Sequence, residues 1–106
     1  VCLAGFSFGA FVTTHAFDRL HRARHIDKLV LVGTSVVRSA AAPIDAAGHA
    51  KTIVIHGEAD DTVTLSAVMD WARPQSLPIT VIPGVEHFFH GQLPLLKSLV
   101  IRHMKA

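Results

Sequence analysis

Four short apolar runs, Val1 to Ala4, Leu29 to Val32, Ile53 to Ile55 and Ile79 to Ile82, divide the chain at intervals filled by segments of helical period. Each run is too short for a helix, and most are rich in Val and Ile, so they read as strands buried on both sides. Buried strands that alternate with helices specify an α/β fold: a parallel sheet with helices on both faces.

The helices follow from spacing. The first begins after the Gly5 to Gly9 turn and is expected to turn Phe8, Phe11, Val12, Ala16 and Leu20 inward. It ends near His21-Arg22-Ala23-Arg24-His25, where cations oppose the negative end of the helix dipole. A second, from about Leu65 to Arg73, presents Leu65, Val68, Met69 and Ala72, and Pro74 stops it. The last runs from about Leu93 to His103, with Leu93, Leu96, Leu99 and Val100 inward. Between the second and third strands lies Gly33 to Lys51, under twenty residues rich in Ala and Ser and broken by Pro43 and Gly48. It is expected to hold a turn or two of helix around Ala40 and is too short for a large lid.

A chain of 106 residues makes one domain at most. Half of its residues are apolar and 17% are charged, with a mean hydropathy of +0.41, which is more apolar than a free-standing domain of this size usually is. With Val1 opening inside an apolar run, the expectation is that residues 1–106 are a slab of a larger domain. The net charge is +2, but the basic residues form no stripe with interleaved aromatics, so nucleic acid is not the expected partner. The single cysteine, Cys2, rules out an internal disulfide and is expected to be a small buried residue. No run reaches the roughly 18 apolar residues of a membrane span, and no signal peptide is visible, so a cytoplasmic location is expected.

Chemistry enters at Gly5-Phe6-Ser7-Phe8-Gly9, a G-x-S-x-G motif set between a predicted strand and a predicted helix. A chance match in a chain this long is expected at roughly 3%, and the strand-helix context lowers that further. A serine at the tip of such a turn takes a strained conformation, and the flanking glycines are expected to let strand and helix pass closely. The turn also frees amide N–H groups at the helix start, of which that of Phe8 is the candidate oxyanion donor. The competing reading is a glycine-rich turn with an N-capping serine.

A serine nucleophile requires a base and an acid at other strand ends. After the third strand comes His56-Gly57-Glu58-Ala59-Asp60-Asp61-Thr62-Val63, and after the fourth comes Pro83-Gly84-Val85-Glu86-His87-Phe88-Phe89-His90-Gly91. Their order behind Ser7 is serine, acid, histidine. On these residues the whole chain resembles the second half of a small lidless bacterial α/β-hydrolase of the serine esterase type. The resemblance places an H-G-x-x-D-x-x-V segment on His56, Gly57, Asp60 and Val63, and a G-x-x-H-F segment on Gly84, His87 and Phe88. It implies the C-terminal half of that fold, with Ser7 as nucleophile, Asp60 as acid and His87 as base. Asp61 stands second for the acid; with Thr62 it suits a helix cap better.

His15, His21, His25, His49 and His103 fall on predicted helices or connections, and His56 is expected to make a structural hydrogen bond. His90 lies three residues after His87, but no third ligand accompanies the pair, so neither a metal nor any other cofactor is expected. Phe6 and Phe88 are candidate substrate-binding residues and, with Phe8 and Phe89, either wall an acyl pocket or pack the core. The implied reaction is two-step acyl transfer to water on a small ester or acyl substrate. Thioesters and peptide bonds would use the same residues, and the oligomeric state is left open. In the rival reading these residues are a non-catalytic or inactive piece of a hydrolase, because in the family a second oxyanion N–H follows the third strand, upstream of Val1. The first strand would then be an exposed apolar edge.

Overall fold

The structure, a computed structural model, describes residues 1–36 and 41–106. Four parallel strands, β1 (Cys2–Phe6), β2 (Lys28–Val32), β3 (Thr52–Gly57) and β4 (Thr80–Ile82), lie side by side in chain order. Helix α1 (Phe8–Leu20) joins β1 to β2, α2 (Leu65–Ala72) joins β3 to β4, and α3 (Leu93–Lys105) closes the chain. All four predicted strands and all three predicted helices are present. The connection from β2 to β3 ends in a 3-10 turn, Ala46–Lys51. The helical turn expected around Ala40 falls outside the described residues.

Alternation along β2 divides the core into two layers. Leu29, Leu31 and Val54 face α1 and α2, where they meet Ala10, Phe17 and Ala72. Val30, Val32 and Ile55 face the other way, onto Ile82, Val85 and Phe89, with Leu96, Leu99 and Val100 of α3 packed over them. The sheet is therefore sandwiched, as a run of buried apolar residues requires. Burying each large side chain contributes roughly 1.5–3 kcal/mol.

The inward face of α1 is not the predicted one. Ala10, Thr13, Thr14 and Phe17 are buried, whereas Phe8, Val12 and Leu20 are exposed and Phe11 and Ala16 lie between. The threonines explain the difference, because each satisfies its own hydroxyl: Thr13 Oγ1 donates to Gly9 O (2.7 Å) and Thr14 Oγ1 to Phe11 O (2.7 Å). Thr14 Oγ1 also accepts the Ala42 N–H at 3.0 Å, tying α1 to the connection after β2. A hydroxyl bonded in this way is buried at little cost, which a purely apolar stripe cannot register. Crowding at the turn is one-sided as well. A Cβ on Gly5 would overlap the Gly9 carbonyl and the Thr13 hydroxyl, while one on Gly9 would meet nothing within 4 Å.

Other departures are smaller. Cys2 is exposed rather than buried, because β1 is an edge strand that pairs only with β2 among the described residues. Met69 and Leu93 are exposed; on α2 Val68 and Ala72 are buried and Trp71 packs against the core, and on α3 Leu96, Leu99 and Val100 do so. Pro74 does not end the helical path abruptly but sits in a 3-10 turn, Arg73–Gln75. The cap of α2 is Thr64, whose Oγ1 accepts the Ala67 N–H at 3.2 Å, rather than Asp61 or Thr62.

Candidate active site

Ser7 stands where β1 turns into α1, with φ 57° and ψ −119°. A non-glycine residue in that region is strained and needs external restraint. Two neighbours of β2 supply it: the Ser7 N–H donates to Val32 O (2.8 Å) and Ser7 O accepts the Ser35 N–H (3.2 Å). The serine is thereby fixed at the C-terminal end of the sheet, and Phe8 opens α1 behind it.

Asp60 lies in the turn after β3 and is 4% exposed. Its Oδ1 accepts the N–H groups of Thr62 (2.9 Å) and Val63 (2.8 Å), and its Oδ2 accepts the Nδ1–H of His87 at 2.6 Å. The local turn and the long-range bond are made by different oxygens, so one carboxylate serves both. Asp61 is exposed and lines the cleft beside the serine.

His87, 3% exposed, lies between the two. With its Nδ1 proton on Asp60, Nε2 is free to accept, and Ser7 Oγ is 3.0 Å away. A hydroxyl, an imidazole and a carboxylate from three strand ends thus form one hydrogen-bonded chain. The loop that carries His87 is tied down on both sides. Glu58 Oε1 accepts the Gly84 N–H at 2.8 Å, and the Glu86 carboxylate accepts the N–H groups of Phe88 and His90.

Those two bonds, His90 first, hold the Glu86 carboxyl below the usual glutamate range. A lowered carboxylate stabilises the fold above its unfolded-state value, and the contribution disappears as pH falls through the folded value. The stability difference between wild type and Glu86→Gln is therefore expected to be constant near neutrality and to shrink as pH drops below 4.5. Urea unfolding at a series of pH values checks this.

Gly33, directly after β2, has φ +57°, and a Cβ there would lie 3.1 Å from His87 Cε1 and 3.3 Å from Nδ1. Gly33→Ala is expected to displace the imidazole and lower kcat by about 10- to 100-fold. A steady-state assay beside a melting curve tests it, and unchanged turnover would show that His87 has room to yield. Gly33, Glu58 and Glu86 do not stand out in the sequence as parts of a site. A glycine immediately after a buried strand, level with the serine in the register, is the one signal that could have marked Gly33.

Phe6 packs against the His87 ring at a centroid distance of 5.0 Å, and Phe88 at 5.1 Å. With Val32, Phe89, Leu93 and Leu96 they line an apolar recess of about 310 Å³. A separate cleft of about 420 Å³ is lined by Ser7 itself with Phe8, Ser35, Asp61, Thr62, Val63 and Thr64. Phe89 is a core residue, 1% exposed, whereas Phe8 is 60% exposed. His90 is exposed, 3.4 Å from Glu86. Among the described residues no three His, Cys, Asp or Glu side chains are grouped as a metal would need, and no helix is long and apolar enough to cross a membrane.

The chain matches no family model and no curated protein. It is similar to the crystal structure of a lidless α/β serine hydrolase from Xanthomonas campestris, at 30% identity and a TM-score of 0.80, over 98% of this chain and 46% of that one. It is also similar to an α/β serine hydrolase homologue from Coxiella burnetii, at 30% identity and a TM-score of 0.76, over 95% of this chain and 47% of that one. The chain spans about half the length of each. On this likeness the chain belongs to the α/β-hydrolase superfamily, of whose fold it carries a half.

Proposed function

We propose that this protein is a serine hydrolase that cleaves esters through an acyl-enzyme, with Ser7 as nucleophile, His87 as base and Asp60 as acid. The supporting observation is the unbroken hydrogen-bond chain from Ser7 Oγ through His87 to Asp60. Ser7 Oγ attacks the carbonyl carbon as its proton passes to His87 Nε2, and Asp60 stabilises the imidazolium. The oxyanion forms at the start of α1, where the Phe8 N–H and the helix dipole receive it. His87 then protonates the departing alkoxide, and water, deprotonated in turn by His87, releases the acid. The recess bounded by Phe6 and Phe88 suits an apolar acyl group, and the more polar cleft beside Ser35 and Thr62 suits the leaving group.

We further propose that residues 1–106 act as the C-terminal half of a complete hydrolase domain. The preceding half would pair with the free edge of β1 and bring a second oxyanion N–H. In the alternative reading the 106 residues alone are inactive, because loss of one oxyanion donor typically costs about 10²–10³ in turnover. Labelling with a fluorophosphonate, read by peptide mass, tests both readings. Modification at Ser7 that disappears in Ser7→Ala and His87→Ala supports the triad. Absence of labelling in the 106 residues, with recovery in a chain completed upstream, points to the missing half. Silence in the folded complete protein would sink the triad assignment.

A further inference from the structure

We propose that His56 is a positioning residue for the acid: it clamps the turn that carries Asp60 and so sets the carboxylate where His87 needs it. The inference rests on the triad reading above. His56 lies on β3, its side chain on the same sheet face as Val54, and is fully buried. Its Nε2 is 2.6 Å from Val63 O. A carbonyl only accepts, so this nitrogen carries the proton.

Val63 is held at both ends of its backbone. Its N–H donates to Asp60 Oδ1 at 2.8 Å, and its carbonyl receives His56. The imidazole therefore fixes the far end of the turn whose near end orients the carboxylate. The same Nε2 is 3.5 Å from Asp60 Oδ2, the oxygen that receives His87. That is too long for a good hydrogen bond, but it places the positive end of an N–H dipole beside the oxygen that must stay in place during proton transfer. The remaining nitrogen, Nδ1, is buried and has no hydrogen-bond partner among the described residues. A polar atom buried unpaired is costly. From the strand the imidazole reaches both Val63 and Asp60.

The test compares wild type, His56→Gln and His56→Phe in the protein completed upstream, with 4-nitrophenyl acetate as substrate. The low-field proton resonance of the His87 Nδ1–H is followed alongside. Gln keeps an N–H donor at about the reach of Nε2; Phe keeps the ring and loses the donor. His56→Phe is expected to leave KM within about twofold, to lower kcat by about 10- to 100-fold, and to shift or broaden the resonance. His56→Gln is expected to recover most of both. Should His56→Phe fail to fold, His56→Asn replaces it, since its amide is too short to reach Val63 and predicts the same loss. A folded donorless variant with wild-type kcat and an unmoved resonance overturns the proposal, as does a Gln variant impaired as severely as the donorless one. A folded wild type completed upstream that neither turns over ester nor labels at Ser7 would instead sink the triad reading itself, so the two failures are distinguishable.

Discussion

Replacing Ser7 by Ala is expected to lower kcat for ester hydrolysis by about 10⁴-fold or more, and His87→Ala by a similar factor. In the proposed mechanism the two residues pass a single proton between them, so either deletion removes the same step. The double variant should consequently be no worse than the single ones, within about tenfold. Asp60→Asn is the more informative change. Asp60 Oδ1 must accept from both Thr62 and Val63 N–H groups, so an asparagine there keeps its oxygen on the turn and turns its amide nitrogen toward His87. His87 Nδ1 then has to accept, its proton moves to Nε2, and the base can no longer take the proton of Ser7. A loss of about 10⁴ is expected with the fold intact. Asp61→Asn, an exposed position, should cost less than about threefold. Steady-state kinetics on the five variants decides, and equal losses at Asp60 and Asp61 would mean that the acid has been misassigned.

How much of this was legible beforehand depended on whether a residue's job left a local trace. The strands showed because runs such as Leu29 to Val32 are apolar on both faces. Ser7 showed because a strained serine between strand and helix needs Gly5 beside it, and the structure keeps that requirement at Gly5 while relaxing it at Gly9. The acid and base were expected at Asp60 and His87, and the structure places them within hydrogen-bonding reach of each other and of Ser7. The face of α1 was misread because two internally satisfied threonines fill the positions an apolar stripe was expected to hold. Glu58, Glu86 and Gly33 were illegible for another reason. Each acts on a loop remote in sequence or on backbone geometry, and neither charge pattern nor hydropathy reports a backbone N–H in need of an acceptor.

A large effect on stability is expected at Gly57, where, as at Gly5, an added methyl would run into backbone atoms. Gly57 closes β3 opposite Ile82, and the loop carrying His87 crosses directly over it. A Cβ there would overlap the Val85 carbonyl, coming within 2.9 Å of its carbon, and lie 3.2 Å from Glu86 O. These are backbone atoms, and Val85 O already accepts the Ala59 N–H at 2.9 Å, so no side-chain rotation relieves the overlap. Gly57→Ala is expected to cost about 3 kcal/mol, at the upper end of what overpacking usually imposes. At about 4–8 °C per kcal/mol for a domain of this size, the melting temperature should fall by more than about 10 °C. Turnover should fall with it, because the displaced segment begins two residues before the base. Gly9→Ala provides the internal contrast: the site is helical and open, and the change should be neutral or stabilising by up to about 1 kcal/mol. A Gly57→Ala protein that melts like wild type would mean that the Val85–Glu86 segment can lift away from β3. His87 would then be held by its bond to Asp60 and by Gly33 and Phe6 beside it, rather than by the path of its own loop.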